Sequence, residues 1–172
     1  LSGYAITTPF SFVATTSSLV TNAIRPIYCD INKSSLNIDA NTIEACITPN
    51  TTAIVPVHVF GNPCEVDKIS DIANKYGLKV VYDAANAFVV QFKERSVLNY
   101  GVIAKLSFQA TKIFHSSEGG ALIFNDDKLE ERIRYLINFG IKDKENIPEL
   151  GTNAKMNEFE AAMGLCVLDD IT

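Results

Sequence analysis

Short apolar runs alternate along this chain with longer stretches in which apolar residues recur every three or four positions. Runs of the first kind read as strands and stretches of the second as helices. Tyr4–Thr8 is the first predicted strand, closed by Pro9, and Phe12–Ala23 is predicted as a helix despite its Thr and Ser content. Pro26–Cys29 follows as a short strand and Asp39–Cys46 as a short helix. "TAIVPVHVF", Thr52–Phe60, reads as a strand with an internal proline. The strongest helical signal is "CEVDKISDIANKYG", where Val66, Ile69, Ile72 and Ala73 share one face and Gly77 supplies a C-cap. "KVVY", Lys79–Tyr82, is nearly all apolar, as a strand buried on both faces of a parallel sheet should be. Ala87–Phe92 reads as an extension of the sheet or a re-entry into it. Ile103–Phe108 and Ala121–Phe124 are two more strands, Lys128–Phe139 is a helix, and Asn157–Leu168 is a final amphipathic helix. Gly140–Gly151, "GIKDKENIPELG", is the least regular stretch and predicts a charged surface loop.

Strands and helices in this alternation predict a three-layer α/β domain with a mostly parallel sheet. The 172 residues suffice for one domain with a sizeable core, and 47% hydrophobic with 20% charged residues is an ordinary globular composition. A net charge of -5 without any basic cluster argues against nucleic acid as a partner. No apolar run reaches the roughly 18 residues of a membrane span. Cys29, Cys46, Cys64 and Cys166 are widely spaced, with neither a paired-cysteine zinc pattern nor a disulfide framework, which suits a reducing cytoplasm. "LSGYAITTPF" carries no signal-peptide pattern and reads as the entry to an internal strand, while "LCVLDDIT" reads as an unfinished helix. The chain is therefore expected to be a piece of a longer protein.

In open α/β sheets, ligands gather at the carboxyl ends of the strands. Asp83 directly follows "KVVY" and is followed by small Ala84 and Ala85, which leave room for a ligand near the backbone. Taken alone, it reads more readily as a turn or N-cap aspartate. Lys112 stands past another strand in "LSFQATKIFHSSEGG", between Phe108 and Phe114. Taken alone, it reads more readily as a lysine whose stem covers apolar surface while its head reaches water. His58 lies inside a strand and reads as a hydrogen-bonded core residue. His115 and Glu118 could share a metal on a helix, but the serines and glycines around them predict a turn and no third ligand stands nearby, so no metal site is expected. Gly119 and Gly120 lack the spacing of a dinucleotide fingerprint, and neither a nucleophile elbow nor a Walker loop occurs. An acid and a lysine at two strand ends have one chemical use in common. A lysine forms a Schiff base with pyridoxal phosphate, and an aspartate keeps the pyridine nitrogen protonated so that the ring acts as an electron sink.

Four segments, in order, carry a resemblance. They are "TTPFSFVATTSSLVTNAIRPIYCDIN", "TTAIVPVHVFGNPCEVDKISDIANKYGLKVVYDAANAF", "LSFQATKIFHSSEGGALIFND" and "GTNAKMNEFEAAMGL". The chain resembles the DegT/DnrJ/StrS family of pyridoxal-phosphate-dependent nucleotide-sugar aminotransferases over almost its whole length. The resemblance implies the large domain of the type I, aspartate aminotransferase-like fold. It also implies that Lys112 is the Schiff-base lysine and Asp83 the partner of the ring nitrogen. Phe12 would stack on the ring, Ser107 would help hold the phosphate, and Asn86 would contact the ring hydroxyl. Asn153 would reach the cofactor of a neighbouring subunit, which implies a homodimer with shared active sites. Three positions depart from the family pattern: Asn86 where His or Gln is usual, Gln109 where His is common, and Lys155 where Arg is common. Family members are longer, with an upstream phosphate-binding helix start and a small C-terminal domain. Residues 1–172 thus correspond to the central part of the large domain.

The implied reaction moves an amino group from L-glutamate to a ketone on a nucleotide-linked 4-keto-6-deoxy sugar, for bacterial cell-surface polysaccharide. "SVLNYG" ahead of the lysine strand is most like members acting on dTDP-linked sugars, with amination at carbon four, or else carbon three. Two alternatives stay open at this point. One is a pyridoxal-phosphate sugar dehydratase of the same fold, although that type replaces the lysine with histidine. The other is a non-catalytic truncated domain that serves only dimerisation.

Overall fold

The computed structural model describes residues 1–171. They form two compact units, the first comprising Leu1–Ser107 with Gly120–Ile123, the second Phe108–Gly119 with the chain from Phe124 onward. In chain order the first unit holds β1 (Tyr4–Thr7), α1 (Val13–Thr21), β2 (Arg25–Tyr28), β3 (Thr51–Ile54) and α2 (Val66–Tyr76). It continues with β4 (Lys79–Asp83), β5 (Gln91–Phe92), β6 (Arg95–Ser96), β7 (Ile103–Ser107) and β8 (Gly120–Ile123).

Six strands pair in the order β2-β1-β3-β4-β7-β8. All neighbours run parallel except β7 and β8, which are antiparallel. Successive side chains of a strand point to opposite faces, and Ala5 and Ile6 are both fully buried, so both faces of the sheet are covered at β1. On one face Ala5, Ala53 and Val55 pack with Leu19 of α1 and with Ile24. Helix α2 buries Val66, Ile69, Ile72 and Ala73, the stripe read from its spacing. It ends at Gly77, whose φ of 65° closes the helix on the carbonyls of Ala73 and Asn74. Only glycine takes up that backbone conformation at little cost. The mostly parallel sheet and its helices bear out the expected α/β class.

Local differences have physical causes. The run expected as one strand over Thr52–Phe60 is divided at Pro56, which has no N–H to give to a ladder. Beyond it, Val57 bridges to Asp83, and Val59–Gly61 makes a 3-10 turn. The helix expected over Asp39–Cys46 is a series of turns ending in one 3-10 turn at Glu44–Cys46. Asp39 takes the Asn41 N–H on its side chain and the Thr42 N–H on its carbonyl, a local solution that competes with a helix too short to sustain itself. Ala87–Phe92 neither extends nor re-enters the main sheet. Its last two residues form β5, which pairs with β6 in a separate two-stranded ribbon.

In the second unit, α3 (Asp127–Leu136) starts at Asp126, whose carboxylate accepts from the N–H groups of Lys128 and Leu129. Helix α4 (Glu158–Asp170) starts with a reciprocal capping box between Asn157 and Glu160. Its expected amphipathic face is not found. Phe159, Met163, Leu165 and Leu168 are exposed and only Gly164 is buried, because apolar residues are spread around the circumference instead of along one stripe. The segment between Gly140 and Gly151 is a loop, as its charged composition implied.

Candidate active site

In the first unit the site is built around Asp83, the last residue of β4, which is 8% exposed. Its backbone is tied on both sides of the chain: its N–H donates to the Pro56 carbonyl and its carbonyl accepts from the His58 N–H. Its side chain is held as firmly. Oδ2 accepts from the Thr15 hydroxyl at 2.6 Å. Oδ1 accepts from the Ala85 N–H at 3.1 Å and from the Lys105 ammonium at 3.1 Å. An ionised carboxylate offers about four lone-pair sites, so one acceptor position remains for a further donor. Thr15 lies one turn inside α1, and Lys105 is the direct register partner of Asp83 across the β4–β7 ladder.

Phe12 is the residue ahead of α1, and its carbonyl accepts from the Thr15 N–H. Its side chain is 80% exposed, so its ring presents a free apolar face, unlike a core phenylalanine. The same short segment therefore carries the exposed ring and the hydroxyl that holds Asp83. Asn86 lies in the turn just after β4 and is exposed. Ser107 ends β7, two residues beyond Lys105 and on the same face of that strand.

His58 underlies this region and is wholly buried. Its Nδ1 accepts from the Cys64 N–H at 3.0 Å, so the neutral ring carries its proton on Nε2. Its ring stacks on Tyr82, with centroids 4.7 Å apart and planes 7° from parallel. Burial pulls its pKa down to about 4, against a smaller upward pull from the Asp83 charge. Burial likewise pushes the Cys64 thiol up to about 12. Neither group is a ready acid or base near neutral pH, which bears out the reading of His58 as a core residue.

In the second unit, Lys112 is half-buried on a loop. The loop is closed at its neck, where the Phe108 N–H donates to the Gly119 carbonyl and the Ser116 N–H to the Phe108 carbonyl. Inside it, the Lys112 N–H closes a turn on the Gln109 carbonyl. Phe108 and Phe114, expected to flank the lysine, meet edge to face at 4.6 Å. Buried Ser116 donates to the Glu118 carbonyl, so the polar turn that follows is structural. Asn153 bridges to Asn138, and its Oδ1 accepts from Lys155 at 2.7 Å. Lys155, the residue that departs from the family's arginine, also lies over the Phe139 ring at 4.4 Å. Among the described residues, no cluster of His, Cys, Asp and Glu could hold a metal ion.

Asp83 and Phe12 are thus gathered at one end of the sheet, with Asn86 in the turn after β4 and Ser107 at the end of the adjoining β7, while Lys112 and Asn153 belong to the second unit. Two residues of the site were not singled out from sequence. Thr15 had no signal beyond its place in a helix rich in hydroxyls. Lys105 had one, since it is the lone charge in the strand "IAKLS".

A model of the DegT/DnrJ/EryC1/StrS aminotransferase family matches residues 2–172. The chain belongs to this family. It is 52% identical to a dTDP-4-amino-4,6-dideoxy-D-glucose transaminase of Shigella dysenteriae over 167 residues, which is 97% of this chain and 46% of that protein. It is 46% identical to a transaminase of the same description from Escherichia coli, covering 99% of this chain and 46% of that one. Its fold matches the crystal structure of DesI in the presence of its TDP-sugar product with a TM-score of 0.92 and 39% identity, over 98% of this chain and 43% of DesI. The chain therefore spans just under half the length of the relatives it matches. Among the described residues, no helix is long and apolar enough to cross a membrane.

Proposed function

We propose that the protein containing this chain is a pyridoxal-phosphate-dependent aminotransferase. It converts a dTDP-linked 4-keto-6-deoxy sugar to the 4-amino sugar with L-glutamate as donor, for bacterial cell-surface polysaccharide. The carrying observation is the Asp83 carboxylate, buried at a strand end, held by three donors and left with room for one more. That donor set fits a protonated pyridine nitrogen. The two transaminase relatives, whose names specify amination at carbon four, support the choice of sugar. The chain itself corresponds to the central part of the cofactor-binding large domain.

Pyridoxal phosphate, when bound, supplies an electron sink for negative charge at the carbon next to the transferred nitrogen. Asp83 keeps the proton on the ring nitrogen and so maintains that sink in both half-reactions. Thr15 fixes the rotation of the carboxylate, and the backbone ties of Asp83 prevent it from withdrawing. Phe12 lies on the ring and excludes water from one face. Asn86 contacts the ring hydroxyl, its short side chain reaching less far than Gln. Ser107 donates to the phosphate. Lys112 would hold the cofactor through its Nζ at rest, and its amine, once freed, would move a proton between the α-carbon of the donor and the cofactor, the reverse transfer serving the sugar. Asn153 serves the site of a second subunit, so the working unit is a homodimer. The four cysteines of the chain are all free, in keeping with a reducing cytoplasm.

The test is borohydride reduction of the full-length protein after incubation with pyridoxal phosphate, followed by peptide mass spectrometry. The expected result is a stable adduct on Lys112 and none in Lys112→Ala. Amino transfer from L-glutamate to dTDP-4-keto-6-deoxyglucose should then yield the 4-amino product. A protein that shows no visible cofactor absorbance and no adduct would refute the reading.

A further inference from the structure

The lysine beside Asp83 has no part in the roles above. Strand β7 alternates regularly: Ala104 and Leu106 are buried on one face, while Ile103, Lys105 and Ser107 are partly exposed on the other. Lys105 is thereby placed opposite Asp83 in register and on the face that carries Ser107. Its side chain is 40% exposed, so its ammonium has a route to water. It instead lies 3.1 Å from Asp83 Oδ1. The Thr15 hydroxyl occupies the other oxygen, at 2.6 Å. The carboxylate is therefore clamped at both oxygens, and its charge is balanced by a neighbouring cation before any ligand arrives.

That balance bears on what Asp83 can do. A lone buried carboxylate meeting a pyridine ring strongly favours the protonated ring, because one negative charge faces one positive charge. With Lys105 in place, a protonated ring makes two cations on one carboxylate, and the second is held less tightly. We propose that Lys105 is a positioning residue that orients Asp83 and lowers the affinity of the bound cofactor's ring nitrogen for its proton. Lys105 tunes the strength of the electron sink through Asp83 and does not touch the reacting atoms. The inference rests on the cofactor reading given above.

The experiment uses full-length protein loaded with pyridoxal phosphate labelled with nitrogen-15 in the ring, whose nuclear magnetic resonance shift reports ring protonation directly. Wild type, Lys105→Met, Lys105→Gln and Lys105→Arg are titrated with pH. Removing a cation at this range should raise the midpoint of ring protonation by about one pH unit in the Met and Gln variants. The Arg variant, which keeps the charge, should titrate with wild type. A purely structural lysine would change stability or affinity in all three variants and leave the midpoint in place. A neutral variant that titrates like wild type, including one that binds the phosphate group more weakly, overturns the inference. Two neutral side chains of different polarity are included so that a folding defect in one leaves the other to decide. A wild-type protein that takes up no pyridoxal phosphate overturns the cofactor reading itself, and this inference with it.

Discussion

Acidification should weaken this fold through one residue, His58, before any surface carboxylate has finished titrating. The imidazole is wholly buried, stacked on Tyr82 and committed at Nδ1 to the Cys64 N–H. In the folded chain its pKa falls from 6.5 to about 4, chiefly through burial, with Asp83 opposing. In the unfolded chain it returns to the ordinary histidine value. Above pH 6.5 both states carry a neutral ring, and stability owes nothing to its protonation. As the pH falls below 6.5 the unfolded chain takes up a proton that the folded chain refuses, so stability declines. Below about pH 4 both states are protonated and the decline ends. At about 1.4 kcal/mol per pH unit, the whole loss is about 3 kcal/mol. That is a large part of the 5–15 kcal/mol typical of a domain. The assay is urea denaturation at closely spaced values from pH 4 to 8, for wild type and His58→Asn. Asn can keep an acceptor near Nδ1 for the Cys64 N–H but cannot be protonated. His58→Asn should be the less stable protein at pH 7, through lost packing, and that disadvantage should shrink by about 3 kcal/mol on reaching pH 4. Surface carboxylates such as Glu44 and Glu149, whose pKa values are lowered by Lys75 and Arg132, titrate alike in both proteins and cancel in the difference. A stability difference that stays constant across the range would refute the buried-neutral assignment.

Two further variants test other parts of the first unit. Thr15→Val removes a short hydrogen bond to a buried carboxylate while keeping the shape of the side chain, and should cost roughly 2 kcal/mol in urea denaturation. The same variant should weaken pyridoxal phosphate binding, measured by absorbance titration of the full-length protein. Gly120→Ala places a methyl group 2.7 Å from the Leu106 carbonyl oxygen, a backbone atom on the paired strand β7. The pair must part to admit it, at about 1–3 kcal/mol, with faster amide exchange in β7 and β8 as the local readout.

Elements whose apolar residues follow one period over many positions could be read directly, as α2 shows with its four buried residues and its glycine cap. "KVVY" was equally legible, because burial on both faces leaves a run with little polar content. What could not be read were breaks that arise from local bonding. Pro56 divides an apolar run that stays apolar on either side of it, and Asp39 diverts a helical start into turns through its own side chain and carbonyl. The β5–β6 ribbon was hidden for another reason. Its turn places Lys93 and Glu94 at positive φ, where Asn-Gly would have announced it. For the candidate site, chain position sufficed to single out Asp83, which closes a buried strand. The partners of Asp83 depend on strand register and helix placement, which no single segment contains. Lys105 faces Asp83 only because β7 pairs with β4 at that register, and Thr15 only because α1 follows β1.

The bond between Thr15 and Asp83 joins positions 68 residues apart. Between them lie β2, β3, α2 and most of β4, and β1 reaches β4 only through β3 in the sheet. Contacts of such long range carry a heavy loop-closure entropy and slow the folding of proteins that rely on them. The acid's cradle is therefore complete only once β1, β3 and β4 have joined. During synthesis, an emerging chain would expose an unclamped Asp83 until the central strands had joined. Under the cofactor role proposed for Asp83, uptake would be confined to chains that have finished folding and would serve as a report on completed topology.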